Sequence, residues 1–344
     1  MATAQERQLL EAAKGGDQEA FGRLVETHRG ELHAHCYRML GSVQDAEDAL
    51  QDALLRAWQG LPRFEGRSSV RSWLYRIATN ACLTLIGRRP KRTLPIEHGP
   101  AAERGERPGE PLVESVWVQP YPDEMLGVED GFAAPEARYE RRESLELAFV
   151  AALQHLPARQ RAVLILREVL GFSAREVADS LETTVPSVNS ALQRARRTVE
   201  ERIPEESQQA TMRALGEERV REIAGRYMEA WERGDVNAVV QMLTADAAWS
   251  MPPMTVWYRG LEAIVDFLHE YPGRVAWRRL PTRANGQLAI GSYHWDEDRG
   301  LFKAWVLDVL TLRGDRIQEV TAFITPEIFP SFGLPENLSG PPAT

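Results

Sequence analysis

The chain has 344 residues, 43% of them apolar and 26% charged, and a formal net charge of -9. This is ordinary globular composition for about two domains, or three small ones. It excludes a strongly basic nucleic-acid coat, which binds through phosphate attraction, and no apolar run reaches the roughly 18 residues of a membrane span.

The opening "MATAQERQLLEAAKGGDQEA" lacks the pattern of a signal peptide, and residues 5–88 are predicted to be helical throughout. The two cysteines, Cys36 and Cys82, lie in apolar helical patterns and no Cys/His cluster has zinc spacing. We read them as buried, reduced thiols of a cytoplasmic protein and expect no metal and no cofactor. The stretch "GSVQDAEDALQDALLRAW" (41–58) starts like a capping box, Ser42 followed by Asp45, with Asp45, Glu47 and Asp48 where the helix dipole favours anions. Ala46, Ala49, Leu50, Ala53, Leu54, Ala57 and Trp58 form one apolar stripe, leaving Glu47, Asp48, Gln51 and Asp52 outward. Alone, that is a solvated amphipathic helix.

The neighbouring segment gives it a context. "PRFEGRSSVRSWLYRIATNACLTLIGRRPKR" (62–92) joins a glycine-containing loop to a helix with a basic end. Aromatic rings interleaved with arginines suit unstacked single-stranded bases, the cations following the phosphates. Arg71, Tyr75, Arg76 and Asn80 are the candidate contacts on this helix, and Trp73 reads better as core beside Leu74, Ile77, Ala78 and Ala81.

Residues 93–143 hold 12 acidic against 5 basic residues, are rich in Pro and Gly, and keep no period. We read them as an acidic linker, with "VWVQPYPDEML" (116–126) as a docking segment inside it. Helices resume over 144–203, where "FSAREVADSLETTVPSVNSALQRARRTVEER" (172–202) has helix-turn-helix spacing. Val177, Ala178 and Leu181 lie on a short helix, the turn falls at Glu182 to Thr184, and a second helix starts near Pro186. Val188, Leu192, Ala195 and Val199 make its inner face, and Ser187, Asn189, Ser190, Gln193, Arg194 and Arg197 can meet base edges or phosphates in a major groove. A short hinge, "PEESQQA" (204–210), leads to a block from about 215 that opens with a helix. Its end, "LFKAWVLDVLTLRGDRIQEVTAFITP" (301–326), alternates apolar and polar residues around Gly314-Asp315, an antiparallel hairpin.

Four motifs, "QDAEDALQDALLRAW", "SSVRSWLYRIATNACL", "LPARQRAVLILREVLGFSAREVADSL" and "VPSVNSALQRARR", resemble, in order and spacing, the two core domains of extracytoplasmic-function (ECF) RNA polymerase sigma factors. Residues 220–270 and "PTRANGQLAIGSYHW" resemble the SnoaL-like, ketosteroid-isomerase-like cone, so the chain is similar to the sigma subgroup with a fused C-terminal SnoaL-like domain. The resemblance implies that Glu47, Asp48, Gln51 and Asp52 bind core RNA polymerase. Phe64 and Asn80 would fall in the pocket for a flipped base of the -10 element, and with Arg67, Arg71, Tyr75 and Arg76 they make the DNA-binding set for that element. Asn189, Ser190, Gln193 and Arg194 would fall on the face that reads the -35 element, although Asn189 and Ala191 depart from the basic residues often found there. The helix "RQRAVLILREV" would pack beside the polymerase flap, and the acidic linker would thread toward the active-site cleft.

A cone pocket would be lined by Trp249, Met251, Trp257 and other aromatics, with Asn285, His294 and Asp308 as polar candidates. Alternation in "KAWVLDVL" puts Asp308 on the face of Ala304 and Val306. An isomerase needs a carboxylate base in an apolar pocket with a donor opposite; a satisfied core aspartate is the simpler reading, and we expect no enzyme. The expected fold is multidomain: two all-α sigma modules, the second with the helix-turn-helix, plus a C-terminal α+β cone. The expected boundaries are 5–92 for region 2, 93–143 for the linker, 144–203 for region 4 and 215–332 for the SnoaL-like domain. The expected partners are core RNA polymerase and promoter DNA, without membrane, and either a small-molecule ligand or intramolecular docking of the C-terminal domain. The alternative is a SnoaL-like isomerase or cyclase with a helical DNA-binding appendage.

Overall fold

A computed structural model describes residues 4–112, 116–126, 142–270 and 272–340. They fall into two compact units: residues up to 92 together with 124–203, and residues 93–123 together with those from 204 onward.

The first unit is helical. Helices α1 (Ala4–Lys14), α2 (Gln18–Leu40), α3 (Val43–Gly60) and α4 (Val70–Ile86) pack by their apolar stripes. Their starts are set by Asp17, Ser42 and Ser69, whose side chains accept backbone N–H groups otherwise left without a partner in the first turn. Asp45 does not complete the expected capping box. Its carboxylate is buried and held by Arg92 at 2.6 Å and by Arg89, so the basic end of 62–92 folds back on the start of α3. Helices α5 (Leu147–Gln154), α6 (Ala158–Leu164), α7 (Ala174–Ser180) and α8 (Val185–Glu200) form the second half. α7 opens on the full capping box of Ser173 and Glu176, and the helix-turn-helix turn passes through Glu182 at φ 52°. Buried arginines knit the halves: Arg38 donates to Ser144 O and Oγ at 3.1 and 2.8 Å, and Arg161 to the Met39 carbonyl.

The second unit is a seven-stranded sheet in the order β2-β1-β6-β5-β4-β3, with β7 (Asn337–Leu338) on β5. Strands β1 (Leu243–Ser250) and β6 (Arg316–Phe323) pair parallel, and the other neighbours antiparallel. β5 (Leu301–Arg313) and β6 form the expected hairpin through Gly314, and β3 (Trp277–Ala284) turns into β4 (Gln287–Asp296) through Asn285-Gly286 with both residues at positive φ. Helix α10 (Glu217–Glu232) lies on β3 and β4, α11 (Val236–Gln241) on β1, and α12 (Leu261–Glu270) on β1 and β2 (Trp257–Arg259).

Two expectations change here. Residues 204–210 are not a free hinge, because Gln208 and Gln209 are buried at the start of α9 (Gln208–Leu215). Gln208 mimics a strand edge: Nε2 donates to Leu312 O at 2.9 Å and Oε1 accepts from Leu312 N at 2.7 Å. Residues 93–112 and 116–123, read as linker, fold with the sheet. Tyr121 N donates to Asn285 Oδ1 and Asn285 N to Tyr121 O, both at 2.8 Å, and Gly286 N donates to Asp123 Oδ1 at 2.7 Å. Within "VWVQPYPDEML", Tyr121 and Asp123 dock on the β3–β4 turn. Residues 113–115 and 127–141 of the linker reading lie outside the described residues.

Candidate functional site

On α3 Ala46, Ala49, Leu50, Ala53 and Ala57 of the apolar stripe are buried, Leu54 and Trp58 are half-buried, and the acidic row is open. Asp48 and Gln51 are exposed, Glu47 and Asp52 half-buried, and Leu55 stands one turn beyond Gln51 with 56% of its surface exposed. The acidic groups are ordered by neighbours: Arg29 holds Glu47 at 3.0 Å, Gln51 donates to Glu47 at 3.0 Å, and Arg56 pairs with Asp52 at 2.8 Å. Leu55 is thus a single exposed apolar side chain beside an ordered anionic row. Leu55 was missed in sequence because Leu54 beside it satisfies the stripe.

The candidate -10 residues separate. Phe64 is nearly buried and packs on Trp73, centroids 4.9 Å apart, with Lys14 over its outer face at 5.8 Å. Trp73 is half-buried, and Arg76 and Asn80, three and seven residues on, extend the same open side of α4; Arg67 is exposed in the preceding loop. Tyr75 is 1% exposed, its ring against His35 and Phe172 and its hydroxyl donating to Glu31 at 3.4 Å. The assignments of Trp73 and Tyr75 therefore exchange. The buried stripe runs through Val70, Leu74, Tyr75, Ala78, Ala81 and Cys82, rotated by about one residue from the predicted one. The cause is Phe172, which with Arg71 seals Tyr75 from above: the Arg71 guanidinium lies 5.0 Å from the Tyr75 ring and 4.8 Å from the Phe172 ring. Arg76 pairs with Glu182 of the helix-turn-helix turn at 2.9 Å.

The α8 face is as predicted. Val188, Leu192, Ala195 and Val199 are buried, while Ser187, Asn189, Ser190, Gln193, Arg194 and Arg197 are exposed along one side. That row holds hydrogen-bond donors and acceptors on the solvent side of the helix.

The sheet and the helices packed on it line an open cavity of about 440 Å³. Of the six residues expected in a ligand pocket, Trp249, Met251, His294 and Asp308 line it. Trp257 and Asn285 do not. Trp257 turns to the linker segment, its Nε1 donating to Gly99 O at 2.9 Å, and Asn285 is the buried turn residue that holds Tyr121. Sequence missed Trp231 and Arg279, which complete the wall. Arg279 is 5% exposed; its Nη1 lies 2.6 Å from Asp308 Oδ2 and 2.6 Å from Ser292 Oγ, and its guanidinium lies 4.5 Å from the Trp231 ring. Tyr227 OH also donates to Asp308 Oδ2, at 3.2 Å. Burial pushes the Asp308 carboxyl up from its ordinary range, against the Coulombic pull and hydrogen bonds of Arg279 and the donation from Tyr227 and Ser292. Asp308 is thus inward, with Val306 beside it, but Ala304 is not on that wall. The β4–β5 register shifts between Ser292 and Tyr293, so Trp305 is the extra residue of a bulge and takes the place at the mouth that alternation gave to Ala304. Among the described residues, no group of three or more His, Cys, Asp and Glu side chains could hold a metal ion, and no helix is long and apolar enough to cross a membrane.

Comparison with known proteins agrees with this anatomy. Residues 24–92 match the Sigma-70 region 2 family, 146–199 the Sigma-70, region 4 family, and 224–320 the SnoaL-like domain. The ECF RNA polymerase sigma factor SigG of Mycobacterium tuberculosis (strain ATCC 25618 / H37Rv) is 43% identical over 327 residues, covering 92% of this chain and 85% of that protein. The ECF sigma factor SigW of Bacillus subtilis (strain 168) is 28% identical over 199 residues, covering 57% of this chain and 96% of that protein. The crystal structure of the Mycobacterium tuberculosis extracytoplasmic function sigma factor SigJ shares the fold at a TM-score of 0.56 and 20% identity, covering 90% of this chain and 98% of that one. With both sigma regions in order, and 43% identity to SigG over nearly the whole length, the chain belongs to the ECF RNA polymerase sigma factors and carries a SnoaL-like domain after region 4.

Proposed function

We propose that this sigma factor docks on core RNA polymerase through Glu47, Asp48, Gln51 and Asp52 of α3, with Leu55 as the apolar contact among them. Phe64, Trp73, Arg76 and Asn80, with Arg67 in the preceding loop, receive the unpaired -10 bases. Arg71 is occupied between the Tyr75 and Phe172 rings, so its part in DNA contact requires that packing to open. Ser187, Asn189, Ser190, Gln193, Arg194 and Arg197 of α8 read the -35 element. The observation that carries the reading is the presence, in one helical unit, of an exposed acidic face on α3 and an exposed polar reading face on α8. A net charge of -9 leaves little nonspecific attraction to DNA, so promoter binding depends on polymerase holding the chain in place. The test is co-purification with core polymerase followed by run-off transcription on genomic fragments. Promoter-specific transcripts that need both proteins support the reading, and sequence-specific duplex binding without polymerase overturns it.

We infer further that the SnoaL-like domain sets the activity of the helical unit and binds rather than converts a ligand. An isomerase base is a carboxylate kept unpaired in an apolar pocket. Asp308 is instead paired with Arg279 at 2.6 Å, and its Oδ2 also takes hydrogen bonds from Tyr227 and Ser292, which suits a structural carboxylate. Turnover of a small ketone that disappears in Asp308→Asn would restore the isomerase reading.

A further inference from the structure

A second cavity, of about 380 Å³, lies inside the helical unit at the seam between region 2 and region 4. Three helix ends meet there: α2 at Leu40, α4 at Ile86 and α5 at Gln154. Each presents the carbonyl, negative end of its dipole, which favours cations nearby. Arg89, Lys91 and Arg92 enter from the segment after α4, and His155 and Arg161 from the region 4 side. Among the described residues, Asp45 is the one carboxylate on the wall.

The charges on this wall do not balance. Asp45 accepts from Arg92 at 2.6 Å and from Arg89, and Asp48, outside the wall, lies 3.8 Å from Arg89. Two arginines are thereby matched by two carboxylates, and Arg161 is not. It is 5% exposed, and its guanidinium donates only to neutral oxygens. Nη1 donates to the Met39 carbonyl and to Gln154 Oε1 at 2.5 Å, and Nη2 to Gln154 O at 3.1 Å and Leu156 O at 3.2 Å. Its Nε, also buried, has no hydrogen-bond partner. Burial pushes its pKa down to about 10, and no carboxylate works against that shift. Carbonyl dipoles orient on the guanidinium without cancelling its charge, so the wall is one positive charge in excess before Lys91 is counted. A buried cation is costly without a counter-ion, and an anion in the cavity lowers that cost.

The rest of the wall narrows the choice of anion. Ile86, Pro90, Leu156 and Pro157 give it an apolar part on which a flat ring can lie. Lys91 Nζ lies 2.8 Å from His155 Nδ1, so a side chain of region 2 already meets one of region 4 here. Lys91 is exposed and His155 half-buried, within reach of an entering oxygen. A volume of about 380 Å³ is within the roughly 300–1,000 Å³ of small-molecule sites. A concave site of this size suits one phosphate ester, whereas a nucleic-acid strand is held in a groove that tracks its backbone.

We propose that the seam binds a nucleoside phosphate, with its phosphate oxygens toward Lys91, His155 and Arg161 and its ring on the apolar wall, and that the bound molecule fixes region 2 to region 4. Arg89 and Lys91 belong to region 2, and His155 and Arg161 to region 4, so occupancy also holds the candidate -10 and -35 faces at one separation. That consequence rests on the promoter reading above; the binding does not.

The test is isothermal titration calorimetry of the full chain with adenosine and guanosine 5′-diphosphates, titrated separately at about 150 mM salt, where surface attraction is screened. Saturable binding of one molecule per chain is expected for at least one of them, and none for the two nucleosides. Lys91→Glu, at an exposed position, is expected to lower that affinity at least tenfold. Arg161→Gln is expected to do the same, and Lys91→Glu decides should the Arg161 variant unfold. Absence of saturable binding, equal affinity for nucleoside and diphosphate, or affinity unchanged in folded Lys91→Glu overturns the site. Displacement of the nucleotide by equimolar sulfate, or by random-sequence duplex DNA at equal phosphate concentration, overturns its assignment to a nucleoside phosphate. Amide hydrogen exchange is expected to slow on binding in both 86–92 and 154–161, and protection of one side alone overturns the bridge. If nucleotide binding and two-sided protection hold while run-off transcription shows no promoter specificity, the promoter reading fails and the site stands.

Discussion

His35 shows how much of the helical core is decided by one proton. Its Nε2 lies 2.9 Å from Thr79 Oγ1, and that hydroxyl donates its single proton to Tyr75 O at 2.7 Å. Nε2 is therefore the protonated nitrogen and Nδ1 a bare lone pair, which agrees with Nδ1 having no partner. Burial first, then the charges of Arg38 and Arg71, pushes the His35 pKa down to about 3. An unfolded histidine titrates near 6.5, so between these values the unfolded chain binds the extra proton and stability falls as pH falls. This group alone should cost the helical unit about 3 kcal/mol between pH 7 and pH 4, measured by denaturant melts. His35→Leu should flatten that slope, and an equally steep profile in the variant would refute the account. The sequence gives no sign of this, because a histidine in "ELHAHCYRML" reads equally as surface or core. Asp308 is the opposite case: its inward direction was legible from alternation, but its partners were not, since Arg279 lies 29 residues away on a strand separated by β4.

At the scale of elements, periodicity located the helices but not always their rotation. The stripe of α3 was legible because small alanines leave one narrow buried line, and the acidic row follows from it. The stripe of α4 was not, because Trp73 and Tyr75 are both large and Phe172, about a hundred residues later, decides which one is covered. The acidic row carries a sharp expectation: Asp48→Lys with Asp52→Lys should reduce core polymerase affinity at least tenfold, with the helical fold intact by circular dichroism. Leu55→Asp should do the same through the apolar contact, costing about 2 kcal/mol in a pull-down titration. On α8, Gln193→Ala or Arg194→Ala should cost about 1–3 kcal/mol on promoters and relax preference at one -35 position. Arg197→Ala, toward the end of the row, should weaken all promoters alike and lower the salt slope by about one. A loss in Arg197→Ala confined to particular -35 sequences would reverse that division of labour.

For the whole molecule, the division into helical and α+β parts was legible from the change of period near 215, and the membership of residues 93–123 was not. A Pro-rich, acidic stretch without period looks like a tether, because its apolar anchors, Trp117 and Tyr121, bury themselves singly rather than in a stripe. Truncation after Ile203 removes the sheet on which that stretch docks, so promoter-specific run-off output should change; unchanged output would sink the regulatory assignment. Asn285→Ala is the gentler version, since it removes the acceptor for Tyr121 N and should shift output in the same direction with the domain still present. The docking also imposes an order on synthesis. Gly99 waits for Trp257 and Tyr121 for Asn285, separations of 158 and 164 residues, whereas every helix of the sigma regions is complete by Glu200. At about 5–20 residues per second, a ribosome needs roughly ten to thirty seconds to supply those partners. Each newly made chain therefore passes through an interval in which both sigma regions exist while Gly99 and Tyr121 still lack the partners they dock on.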